Sequence, residues 1–255
     1  MSKQAFLIDI DGVLYVGDSP VPGAADAISD LKKKGYNIRF LSNTTRKSRK
    51  TIVARLTGMG FDIGPGEIFT PAVAAISFIK KAGISGVHLL TTGDVDKEFA
   101  EAGIYSCSDG VDAVIVGDAG DNFSYERMNG AFRFLLEGAG LIALEKDRYW
   151  MAGDGMMLSA GPFVSALEYA TGKTAAIMGK PSKTFFELAL DSMGVGASDT
   201  AMVGDDIMTD IGGSISCGID GILVRTGKFR PETLQAAEVK PTAVIRSVAH
   251  LETIL

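Results

Sequence analysis

Apolar and polar positions alternate along this chain in two rhythms. Short continuous apolar runs, such as Ala5-Phe6-Leu7-Ile8 and Ala201-Met202-Val203, have the length of strands buried on both faces. Longer stretches between them space their apolar residues three and four apart, the period of a helix with one buried face. The pattern predicts strands near 4–9, 37–41, 86–91, 112–116, 175–178, 200–203 and 220–224. It predicts helices over 23–34, 46–59, 71–82, 95–102, 124–138, 162–171, 183–193, 206–217 and 247–254. Lys32, Lys33 and Lys34 followed by Gly35 make a charged last turn with a glycine stop, and Gly58 and Gly60 end the next helix similarly. Strands alternating with helices imply an α/β protein with a doubly wound, Rossmann-like parallel sheet.

The stretch 72–177 carries strands and helices of its own and is too long for a loop. It is expected to form an inserted α/β domain, with boundaries near Pro71-Ala72 and Ile177-Met178. The flanking parts, 1–71 and 178–255, would then combine into one core whose strand ends converge on a crevice.

Composition narrows the partners. The 255 residues are 46% hydrophobic, enough for a substantial core, and carry a formal net charge of -6. That balance argues against binding to nucleic acid polymers or anionic membranes, while leaving room for a local phosphate site. No run of 18 apolar residues or charged leader is present, so a cytoplasmic protein is expected. Cys107 and Cys217 lack metal-ligand spacing and fit reduced thiols. His88 and His250 sit in apolar surroundings and receive no role.

Candidate chemistry gathers at the strand ends. The first strand delivers Ile8-Asp9-Ile10-Asp11-Gly12, two carboxylates whose repulsion a divalent cation would relieve. Asp9 could then attack phosphorus while Asp11 handles a proton. The second strand ends in Ser42-Asn43-Thr44-Thr45, whose Ser42 hydroxyl and backbone N–H groups near Asn43 can hold a phosphate. Lys180, between Gly179 and Pro181, can neutralise phosphate charge. A later strand ends in Gly204-Asp205-Asp206, with Asp210 one turn on. Magnesium favours oxygen ligands, and Asp9, the backbone carbonyl of Asp11, and Asp205 would supply them. Asp206 and Asp210 would stand behind these ligands and orient them. Taken singly, the same residues also read as turn aspartates, helix caps and a solvated loop lysine.

In this order, DIDGV, SN, GKP and GDD resemble the haloacid dehalogenase superfamily, over essentially the whole chain. The large insert resembles a type C2 cap, the mark of the NagD-like subclass IIA. Segments 117–125, 166–172 and 224–231 sharpen the likeness. The resemblance implies Asp9 as nucleophile, Asp11 as general acid then base, Ser42 and Asn43 as phosphate binders, Lys180 as charge stabiliser and Asp205 as metal ligand. It further implies a magnesium-dependent phosphatase acting through an aspartyl-phosphate on a small phosphorylated metabolite: a phosphate monoester, a sugar or nucleotide phosphate, or pyrophosphate. Keeping Asp11 points to phosphate rather than carbon–halogen chemistry.

The cap candidates for specificity are Asp154, Tyr149, Trp150 and Met156. NagD-like relatives often carry a small or neutral residue where Asp154 sits, so their anionic substrates do not transfer simply to this chain. Caps of this type often mediate dimers, so a homodimer through the cap is a further expectation. Two other readings stand beside the leading one. A protein phosphatase acting on phosphohistidine or phospholysine is suggested by family likeness, although a cap hinders entry of a folded substrate. A non-enzymatic phospho-receiver module would also use aspartates, a Ser or Thr and a Lys, but needs neither Asp11 nor a cap.

Overall fold

The computed structural model describes residues 3–153 and 155–255. The chain divides into two compact units, one formed by 1–42, 49–69 and 180–255 and the other by 43–48 and 70–179. The short segment Asn43–Ser48 thus groups with the second unit rather than with the strand that precedes it.

The first unit is built on a parallel sheet of six strands. Their spatial order is Ala243–Ile245, Asp220–Val224, Thr200–Gly204, Ala5–Asp9, Asn37–Leu41 and Ile68–Phe69. Every residue of the central strand Ala5–Asp9 is buried, as expected of a strand covered on both faces. The chain proceeds from it to one side and later returns to the other, so the sheet's switch point lies beside Asp9. Register does the rest. Asp9 pairs with Leu41 and Ile8 pairs with Val203, so Ser42 and Asp205 each stand one residue beyond Asp9 at the same sheet edge.

The second unit holds a parallel sheet of four strands in the order Ala176–Ile177, Gly140–Ala143, Ala113–Val116 and Val87–Leu90. The helix Pro71–Ala82 opens with Pro71 in its first turn and the Thr70 side chain accepting from the Val73 amide. Gly83, at φ 67°, ends it. A separate antiparallel hairpin pairs Tyr149–Ala152 with Gly155–Leu158.

Several elements depart from the sequence pattern. The spacing over 46–59 predicts a helix from residue 46, but the helix spans Arg49–Gly58 because 43–48 is drawn into side-chain hydrogen bonds of the second unit. The segment predicted as one helix over 206–217 is a π-helix, Ile207–Gly212, followed by a short α-turn, Gly213–Ser216. The last predicted helix is a 3-10 helix, Val248–Ile254. Strands Ile68–Phe69, Gly140–Ala143 and Ala243–Ile245, together with the hairpin, are too short to declare a period.

No helix among the described residues is long and apolar enough to cross a membrane. The first unit's main core joins Phe6, Ile8, Phe40, Val203 and Ile222, all fully buried. Truncating Phe40→Ala should lower unfolding stability by about 3–5 kcal/mol. Urea denaturation checks this, with fully solvated Tyr169→Ala as a control expected to shift stability by no more than about 0.5 kcal/mol.

Candidate active site

Asp9 ends its strand pointing into a buried cluster and is only 5% exposed. Asp11, two residues on, has left the strand and is exposed. The Tyr15 hydroxyl donates to Asp11 Oδ2 at 2.9 Å. Burial and the neighbouring Asp11 carboxylate push the Tyr15 phenol above its usual range, so it keeps the proton it donates.

The Lys180 ammonium, itself buried, donates to Asp9 Oδ1 and, at 2.7 Å, to Asp210 Oδ1. Burial alone would lower its pKa, but Asp210 and Asp9 outweigh it and hold the lysine charged. Carboxylate oxygens of Asp9, Asp205 and Asp210 lie within 4.8 Å of one another, all three residues buried. Burial, reinforced by Asp210 and Asp205 against the pull of Lys180, raises the Asp9 carboxyl well above its usual value. Burial likewise pushes the Asp205 carboxyl up to about 6, although the Lys228 amide donates to its Oδ2 at 2.6 Å.

Three buried carboxylates therefore face one buried ammonium, a formal excess of two negative charges. A divalent cation with a preference for oxygen donors cancels that excess, and the donor set fits one.

The neighbours of this cluster explain its placement. Asp206 caps the π-helix, accepting from the Met208 and Thr209 amides at 2.9 and 3.1 Å. Those bonds and Lys228 outweigh its burial and hold its carboxyl below the usual range. Asp210, expected from sequence to orient the ligands, lies as close to Asp9 and Asp205 as cluster members do to each other. The π-turn carries it there, a helix distortion that often marks functional sites.

Asp205 is walled in by backbone. Gly12 and Gly227 both adopt positive φ, and a β-carbon on either would sit 1.9 Å from Asp205 Oδ2. The Thr226 hydroxyl closes the wall by donating to the Gly12 carbonyl at 2.5 Å.

Ser42 is buried at the same edge, its amide bonded to the Phe69 carbonyl at 3.2 Å. Asn43 belongs to the second unit, as do Tyr149, Trp150 and Met156. Tyr149, Trp150 and Met156 lie on the exposed hairpin; the Trp150 ring covers the Arg46 guanidinium at 5.5 Å. Met156 lines a cavity of about 680 Å³ with Arg46, Asp118, Phe123 and Phe163. Asp154 lies outside the described residues. Sequence reasoning missed Tyr15 and the Thr226-Gly227-Lys228 loop. The loop follows the strand Asp220–Val224, so the strand-end logic that found Asp205 would have found it too.

Two family models match the chain, a haloacid dehalogenase-like hydrolase over residues 6–105 and a HAD-hydrolase-like model over residues 177–251. Human phospholysine phosphohistidine inorganic pyrophosphate phosphatase is 40% identical over 258 residues, covering 99% of this chain and 94% of that protein. The chain belongs to the haloacid dehalogenase-like hydrolases. Among solved structures of this hydrolase family, the p-nitrophenyl phosphatase from Archaeoglobus fulgidus aligns with a TM-score of 0.92 at 30% identity, covering 100% of both chains. NagD from E. coli K-12 aligns with a TM-score of 0.89 at 27% identity over 98% of each chain. Hydrolases of this family generally use a divalent metal, in keeping with the acidic cluster.

Substituting Gly227→Ala should press on Asp205 and on the Gly12 backbone and displace Asp205 from the cluster. Isothermal titration with a divalent cation should then show affinity reduced tenfold or more.

Proposed function

We propose that this hydrolase is a magnesium-dependent phosphatase that cleaves a small phosphorylated metabolite through an aspartyl-phosphate on Asp9. The reading rests above all on the buried cluster of Asp9, Asp205, Asp210 and Lys180, with its excess negative charge. Asp9, Asp205 and the Asp11 backbone carbonyl would hold magnesium, with Asp206 and Asp210 behind them, and the ion would supply positive charge to a bound phosphoryl group.

Each residue then has a task. Lys180 holds Asp9 at Oδ1 and favours its ionised form against the burial that raises its carboxyl. The Ser42 hydroxyl and Asn43 bind phosphoryl oxygens. Asp9 attacks phosphorus in line, and the bond to the leaving oxygen breaks as Asp11 gives that oxygen its proton. Asp11, now a carboxylate, takes a proton from the water that attacks the aspartyl-phosphate, releasing inorganic phosphate and restoring Asp9. Exposure suits Asp11 to exchange protons with leaving group and water, and the Tyr15 hydrogen bond fixes its orientation.

The substrate lies among phosphate monoesters, sugar or nucleotide phosphates and pyrophosphate. The human relative's name brings phospholysine and phosphohistidine into the same panel. Tyr149, Trp150 and Met156 of the second unit, together with Asp154, are the candidates for leaving-group selection. The free thiols of Cys107 and Cys217 suit a reducing cytoplasm.

Turnover of such a panel with magnesium should be lost on the order of 10³-fold or more in Asp9→Asn. Acid quenching with a radiolabelled ester should leave label on the native protein and none on the variant. A labelled protein that never releases phosphate would instead indicate a receiver module. Preference for a phosphorylated protein over every small ester would favour the phosphohistidine or phospholysine reading.

A second copy of the chain is the partner proposed for the second unit. Tyr149, Trp150, Met151, Met156, Met157 and Leu158 are all exposed on one hairpin, an apolar surface of the kind that marks an interface. Light scattering should give twice the 26.8 kDa chain mass, and Met151→Asp should return it to the monomer value.

A further inference from the structure

Between Ser42 and the helix at Arg49, the chain passes through six residues that are tied into the second unit. The ties come from two loops at the carboxyl ends of neighbouring parallel strands, Val87–Leu90 and Ala113–Val116. After the first of these, the Asp94 amide donates to the Arg46 carbonyl at 3.0 Å. Ser48 answers with two bonds to the Asp94 carboxylate, its amide to Oδ1 and its hydroxyl to Oδ2, both 2.7 Å.

After the second strand, the Asp118 amide donates to Thr45 Oγ1 at 2.9 Å. Arg46 Nη2 donates to Asp118 Oδ1 at 3.0 Å. Arg46 Nε lies 2.9 Å from Oδ2 but poorly aligned for a hydrogen bond, so the Nη2 bond is the directional one. Backbone approach is equally close: a β-carbon on Gly93 would lie 2.1 Å from the Arg46 carbonyl oxygen. Thr45, Ser48 and Asp118 are all buried.

The carboxyl edge of a parallel sheet is where α/β folds ordinarily hold a ligand. Here that edge of the second unit holds a segment of this chain, and the segment begins at the residue after Ser42. Resting on the phosphatase reading above, we propose that Asp94 and Asp118 are positioning residues for phosphate binding. They fix Thr45, Arg46 and Ser48, and through the peptide chain they hold Asn43 and Ser42 where phosphoryl oxygens are bound. Without the clamp, 43–48 samples many conformations and each encounter with substrate must reorder it.

The test is a double-mutant cycle on the full chain, using the best ester from the panel. Asp94→Ala should lower kcat/KM by about 10- to 100-fold, chiefly by raising KM and the inhibition constant of inorganic phosphate. Asp94→Asn can still accept from the Ser48 amide and donate to its hydroxyl, so it should restore most of the loss. Because Asp94 acts through Ser42 and Asn43, adding Asp94→Ala to Ser42→Ala should cost far less than it does alone. Equal, additive losses in both backgrounds would overturn the proposal, as would an unchanged KM in a folded Asp94→Ala. If Asp94→Ala does not fold, Ser48→Ala removes one bond of the same pair and should raise KM about tenfold, with an unchanged KM again overturning it. If Ser42→Ala itself leaves turnover unchanged, the phosphate-binding reading fails and takes the proposal with it.

Discussion

Like charges gathered out of water are the constraint around which this protein is organised. At separations of about 4–5 Å and an effective dielectric near 20, each carboxylate pair repels by about 3–4 kcal/mol. Asp9, Asp205 and Asp210 form such pairs, and Lys180 relieves only part of the repulsion. Burial first, and this repulsion after it, raise the carboxyls of Asp9 and Asp205 above their usual values. A fold carries such a concentration of unfavourable charge only where the rest of the core overrules it. The fully buried strand Ala5–Asp9 and the cluster around Phe6, Ile8 and Phe40 supply that excess stability.

Environment separates the two aspartates of the first motif. They share a side-chain type and differ by two positions, yet Asp9 is enclosed with a lysine while Asp11 is exposed under a tyrosine hydroxyl. The strand ends between them, and the turn at Gly12 carries Asp11 away. A change in backbone direction alone thereby places one carboxylate among buried charges and its neighbour in solvent.

Much of this was legible in the sequence because strand ends are local events. An apolar run followed at once by Asp, Ser or Gly-Asp announces a side chain at a sheet edge, and Asp9, Ser42 and Asp205 were found that way. The π-turn was not legible, because Ile207, Ile211 and Ile215 keep an ordinary helical spacing through it. Tyr15 escaped notice because it reaches Asp11 across a turn, without any periodic pattern. Segment 43–48 reads as the start of a helix, and only hydrogen bonds to residues 46 to 73 positions distant show otherwise.

The parallel register beside Asp9 also limits how such a chain can change over generations. Three strands, Ala5–Asp9, Asn37–Leu41 and Thr200–Gly204, must reach the same row for their terminal residues to meet. Adding a single residue inside any of them would advance its end by about 3.3 Å and turn the functional side chain to the opposite face. Insertions and deletions are therefore confined to the connections between those strands. The longest connection, from Leu41 to Thr200, is where a whole additional unit has been accommodated.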